Sequence, residues 1–119
     1  MSSASKGRGR EYGVRDKLRA LGYYAARGPA SKGNDLEARY LGDAGLPNLL
    51  VECGGEKKII SSAFAELREK IETGAHLVQA PLPIVARCVK RTWRYHPHEE
   101  AEATDDLLFA IMAAKELAA

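Results

Sequence analysis

The segment from Asp35 to Glu52, DLEARYLGDAGLPNLLVE, restricts the folds open to this chain more than any other. From Asp35 to Leu41 apolar and polar residues alternate, with Leu36, Ala38 and Tyr40 on one face and Asp35, Glu37 and Arg39 on the other. That is the pattern of a half-buried strand. Gly42 to Asn48 carries the glycine, proline and asparagine of a turn. Leu49, Leu50 and Val51 then run on without a polar break, which suits a central strand covered on both faces. Two strands joined by a short turn can pair as a hairpin, and this brings Asp35 and Glu52 to one end of a sheet. Glu52 follows a buried run, where an unpaired charge is costly and a metal or lysine would compensate it. Lys57 and Lys58 come soon after. Carboxylates with an ammonium group are what a metal-dependent phosphodiesterase needs: oxygen ligands for a hard divalent cation and positive charge near the attacked phosphate.

The remaining elements supply a setting for this pair. Residues 1–7 are small and polar and read as a flexible tail, with a single domain over 8–119. A helix is expected from Arg8 to Leu21, because Val14, Leu18 and Leu21 share one stripe and Gly22 supplies a stop. Glu11 on that helix can point toward the sheet edge where the other carboxylates gather; a surface glutamate in a first turn explains it equally well. Tyr23 to Arg27 reads as a strand and Gly28 to Asn34 as a loop. Gly54 and Gly55 are expected to break the strand after Glu52. A second helix should begin at Ser61 or Ser62 and end at Thr73 before Gly74, with Phe64, Leu67 and Ile71 inward. Glu66, Arg68, Glu69, Lys70 and Glu72 on its outer face read as solvated partners.

Past Pro81 and Pro83, Ile84 to Val89 and Trp93 to His96 read as paired strands, with Lys90, Arg91 and Thr92 as their turn. Basic residues interleaved with Trp93 and Tyr95 fit either contact with phosphates and sugars or an exposed hairpin with packed aromatics. His96 and His98 read as surface residues. The last helix is expected from Asp105 to Leu117, with Thr104 as its cap and Asp105 and Asp106 in its first turn. Its stripe of Leu107, Leu108, Ile111 and Met112 either covers the sheet or meets a second copy of itself. This order of helices and strands predicts an α/β domain whose mixed central sheet is flanked by helices.

Composition narrows the function classes. At 119 residues the chain is sized for one domain with a real core. No apolar run approaches the roughly 20 residues that span a bilayer, and the N-terminal residues lack the apolar centre of a secretory signal, so a cytoplasmic protein without membrane partners is expected. Cys53 and Cys88, the only two cysteines, fall in apolar segments and read as buried thiols. A net charge of +2 implies no polyanion by itself. Its placement is uneven, however: Lys6, Arg8, Arg10, Arg15, Lys17 and Arg19 crowd the N-terminal segment, and Lys90, Arg91 and Arg94 crowd a later one. A basic face of that kind suits nucleic acid on one side of the molecule. The chain has no GxxxxGK[ST] loop, so no nucleotide cofactor is expected.

Glu11 in the first helix, the loop RGPASKG, the strand start NDLEA and the strand end LLVEC occur in an order that resembles the archaeal-type Holliday junction resolvases and their phage and bacterial relatives. These belong to the PD-(D/E)xK nuclease superfamily. The resemblance covers Arg8 to Leu67 and extends more loosely to Tyr95. It implies a restriction-endonuclease-like core and a homodimer that cuts four-way DNA junctions with Mg2+, for which Mn2+ can substitute. Matched position by position, Asp35 and Glu52 would hold the metal, with the Cys53 backbone carbonyl as a further ligand and Glu11 completing the shell, directly or through water. Ser31 would be the family's loop serine near the phosphate. Arg8, Arg10, Arg27, Lys32, Lys90, Arg91 and Arg94 would contact DNA. Two positions depart from the family pattern: Asn34 stands where the PD proline belongs, and Gly54 stands where the ExK lysine belongs. Either Lys57 or Lys58 reaches back to serve as that lysine, or the site is weak. A repair or restriction-like nuclease acting on duplex DNA and a catalytically inactive DNA-binding module are the alternatives.

Overall fold

Helix α1 (Ser3–Ala20) leads into strands β1 (Tyr23–Arg27), β2 (Asp35–Tyr40) and β3 (Leu49–Gly55). Helix α2 (Ile60–Thr73), strands β4 (Leu82–Val89) and β5 (Thr92–His96), and helix α3 (Leu107–Ala118) follow. The structure, a computed structural model, describes residues 3–28 and 35–119, with side chains from residue 12 onward. Its strands form a five-stranded mixed sheet in the order β1, β2, β3, β4, β5. Neighbours are antiparallel except for β3 and β4. A parallel pair requires a long crossover, and α2 provides it.

Side chains alternate along a strand, so central β3 divides its residues between two cores. Leu49, Val51 and Cys53 pack with Val14 and Leu18 of α1 and with Leu107, Ala110 and Ile111 of α3. Leu50 faces the other way, against Val85 and the Ala63, Phe64 and Leu67 side chains of α2. Helices therefore cover both faces, and the domain is α/β with a mixed sheet flanked by helices. Among the described residues no helix is long and apolar enough to cross a membrane.

Asn48 pins the hairpin that carries the two acids. Its Oδ1 accepts from Tyr40 N at 2.8 Å and its Nδ2 donates to Gln79 O at 2.8 Å, tying the β2–β3 connection to the loop before β4. On β2, Glu37 turns to the α2 face as Asp35 does, but Oε1 accepts from Leu77 N at 2.7 Å and from Val78 N at 2.9 Å. Its carboxylate is occupied in holding the loop after α2.

Several boundaries differ from the sequence expectation. Helix α1 begins at Ser3 rather than Arg8. Gly54 and Gly55 continue β3 instead of breaking it, because they pair with Arg87 and Cys88 of β4 and the ladder satisfies their backbone groups. The turn comes next and is closed by Lys58 N donating to Gly55 O at 3.1 Å. Thr92 belongs to β5, and the β4–β5 hairpin turns on Lys90 and Arg91 alone, whose φ values of 49° and 66° are those of a two-residue primed turn. Asp105 and Asp106 precede α3: Asp106, not Thr104, is the cap, its Oδ1 accepting from Phe109 N at 3.1 Å. The α3 face against the sheet is Leu107, Ala110, Ile111 and Ala114, while Leu108 and Met112 point to solvent.

Candidate active site

Asp35 and Glu52 are register partners across β2 and β3. Glu52 lies two residues beyond Leu50 and so shares the α2 face of the sheet, where α2 shields it from water. Both acids are buried, with relative exposures of 8% and 6%. Their direct opposition would cost stability if both stood ionised without counter-charge. Two lysines supply that counter-charge.

The first is Lys58. After the Gly55–Lys58 turn the chain doubles back, and Lys58 Nζ lies 3.3 Å from Glu52 Oε1. Gly54 makes this possible: a Cβ there would stand 2.9 Å from Lys58 Cγ and 3.0 Å from its Cβ and Cδ. The lysine stem thus occupies the space that a side chain at position 54 would fill. Lys57 is exposed and takes part in none of the ion pairs among the described residues.

The second is Lys70 of α2, whose Nζ pairs with Asp35 Oδ2. Glu66, one turn earlier on the same helix face, adds its charge and a carboxyl contact to Glu52. Asp35, Glu52, Lys58, Glu66, Glu69 and Lys70 line an open cleft of about 640 Å³. The expectation of a solvated face is therefore corrected for Lys70, while Glu66 and Glu69 remain exposed as they line the cleft. The available signal was position: Lys70 is three residues after Leu67 and seven after Ala63, so it borders the buried stripe.

Burial raises the Glu52 carboxyl to about 7 from an ordinary 4.5; Lys58 opposes the rise, and Glu66 and Asp35 add to it. Among the described residues Glu52 Oε2 is buried with no hydrogen-bond partner. An unpartnered carboxylate oxygen beside a second carboxylate is the hard-oxygen environment that a divalent cation favours. Among the described residues no group of three or more His, Cys, Asp or Glu side chains converges as a metal cage. Asp35 and Glu52 thus fit as two ligands, with the remainder to come from water, substrate or residues outside the described set.

The other expected site residues are distributed as follows. Ser31 and Lys32 lie outside the described residues, and so do the side chains of Arg8, Arg10 and Glu11, whose backbone is part of α1. Arg27 ends β1 and is exposed. The Cys53 side chain faces the α1 and α3 core. Lys90 and Arg91 are exposed at the hairpin tip, and Arg94 is exposed on β5. Tyr95 is fully buried, which removes it as a stacking surface for bases. His96 is likewise buried, not a surface residue, and its Nε2 accepts from Arg87 Nε at 3.2 Å. Compared with known proteins, the chain matches no family model and no curated protein.

Proposed function

We propose that the protein is a divalent-metal-dependent endonuclease with a restriction-endonuclease-like core, acting as a homodimer on four-way DNA junctions. The observation that carries this is the register pair Asp35 and Glu52, with Lys58 folded over Gly54 onto Glu52. Asp35 and Glu52 would hold Mg2+ or Mn2+ between them. Bound there, the cation would acidify a water and stabilise charge on the scissile phosphate. Lys58 supplies a cation at the same end of β3, placed to orient that water or to neutralise the phosphate. Lys70 keeps Asp35 oriented from α2, and the cleft leaves room for a backbone phosphate beside the acids. Glu11 on α1, Arg27 at the end of β1, and Ser31 and Lys32 between β1 and β2 in the sequence are the remaining candidates for metal and phosphate contacts. Resolving a junction takes two symmetric cuts, and one site per chain therefore calls for a two-fold dimer.

A second reading is an inactive DNA-binding module, favoured by the fact that Asp35 and Glu52 each already have a lysine partner. Incubating labelled four-way junction and linear duplex with the protein, in Mg2+ and in EDTA, separates the two. The nuclease reading expects metal-dependent nicks in the junction that fall at least a hundredfold in Asp35→Asn. Junction binding without cutting in either Mg2+ or Mn2+ would leave the binding module.

A further inference from the structure

The sheet face that carries Glu52 also carries two arginines with no carboxylate paired to them among the described residues. The register runs straight across the sheet from Asp35 to Glu52, Val85 and His96. Two residues further along, the next row on that face is Gly54, Arg87 and Arg94. The Lys58 stem fills the space over Gly54 while its Nζ turns back to Glu52, so Arg87 and Arg94 are the two cations of this row. The row lies about 7 Å along the strands from the acid row, with about 5 Å between neighbouring strands.

Like charges directly opposite each other weaken a sheet, and Arg87 and Arg94 are such a pair. Neither takes part in an ion pair among the described residues. Arg87 is instead held by neutral acceptors: Nε donates to His96 Nε2 at 3.2 Å, and Nη1 donates to the Glu56 carbonyl at 3.2 Å. His96 must be unprotonated at Nε2 to accept this bond, and both its burial and the charge of Arg87 favour the neutral ring. The guanidinium is thereby fixed in direction without losing its charge. A lone solvated arginine would need no explanation, but a like-charged pair with one member anchored by a buried neutral imidazole calls for an external anion.

We propose that Arg87 and Arg94 form a phosphodiester-binding subsite, where the nucleic-acid backbone runs on from the Asp35–Glu52 site, with His96 as the positioning residue for Arg87. This rests on the nuclease reading for what occupies the neighbouring site. Paired guanidinium forks match the non-bridging oxygens of a phosphate, and such contacts set register without reading bases. Arg94 was expected as one of several DNA-contacting basic residues; Arg87 was not expected at all, because its place opposite Arg94 depends on strand register.

The test is fluorescence anisotropy of a labelled four-way junction in EDTA across a salt series, so that neither metal nor cutting contributes. Arg94→Glu is expected to weaken binding at least tenfold and to flatten the slope of log K against log salt by roughly 0.9 to 1.8, the loss of one or two phosphates. Its Tm should not fall, because the new glutamate faces Arg87. His96→Gln, which keeps a neutral acceptor, should retain more of the slope than His96→Leu. Wild-type affinity and slope in Arg94→Glu would overturn the subsite, as would a wild-type protein that binds no DNA. Stabilisation by inorganic phosphate that is lost in Arg94→Glu, with junction affinity unchanged, would also overturn it. The expected binding pattern from a wild type that never cuts would support the subsite and remove the nuclease reading.

Discussion

Burial raises the Glu52 carboxyl to about 7 even though Lys58 Nζ is 3.3 Å from Oε1, because the two groups stand in different surroundings. The Glu52 side chain is 7% exposed and that of Lys58 is 33% exposed. Solvent at the cleft screens the attraction, while the carboxylate still bears the full loss of hydration. In the folded chain Glu52 thus holds its proton more tightly than in the unfolded chain. Its contribution to stability is complete below about 4.5 and is lost as pH rises through about 7. The loss is on the order of 3 kcal/mol. Without metal, the Tm of the wild type should fall between pH 5 and pH 8. In Glu52→Gln that fall should shrink, leaving the variant more stable than the wild type at pH 8. Mg2+ should restore stability to the wild type at pH 8 and do little for Glu52→Gln; thermal melts at both pH values, with and without Mg2+, check this. A pH dependence that persists unchanged in the variant would remove Glu52 as its source.

At the level of elements, β3 and the turn after it form one device. The strand continues through Gly54 and Gly55, and the turn at Gly55 to Lys58 returns a lysine to the strand's own acid. Gly54→Ala should fold normally, since alanine suits a strand interior by about 0.5–1 kcal/mol more than glycine. Its new methyl group would push the Lys58 stem away from Glu52, so under the proposed function junction cleavage should drop by as much as is expected for Lys58→Ala. Placing the lysine directly on the strand, Gly54→Lys with Lys58→Ala, should recover cleavage, and Lys57→Ala should stay within a few-fold of wild type. Equal rates for Lys57→Ala and Lys58→Ala would refute the assignment. The alternation in DLEARY and the apolar run LLV were enough to foresee β2, β3 and the meeting of their carboxylates. What the chain order could not supply was long-range: α2 crossing back over β3 brings Lys70 to Asp35, 35 residues away. Helical periodicity gives the face of a residue relative to its own axis, not which strand end that face meets. The glycines misled for a related reason, since a ladder with β4 overrides their preference for turns.

On the scale of the whole molecule, the sheet separates the main apolar core from the charged cleft. The α1 and α3 side holds the larger apolar core, and the α2 side holds a smaller one beside the charged cleft. That division lets the acid pair sit at the border of a core while remaining open to a ligand. On α3, Leu108, Phe109, Met112 and Leu117 remain exposed, so of the expected stripe only Leu107 and Ile111 cover the sheet. The alanines at 110 and 114 let it lie close on the sheet, and so the larger side chains turn outward. The proposed dimer makes a demand that a single site cannot meet: both strands of a junction must be cut in one binding event. A supercoiled plasmid with an extruded cruciform reports this directly, because paired cuts yield linear DNA and single cuts yield nicked circles. With Mg2+ the wild type should produce linear plasmid without a build-up of nicked circles, and neither product in EDTA or with Asp35→Asn. No cutting in Mg2+ or Mn2+, or equal cutting of a plasmid without a cruciform, would contradict a metal-dependent junction endonuclease built on Asp35, Glu52 and Lys58.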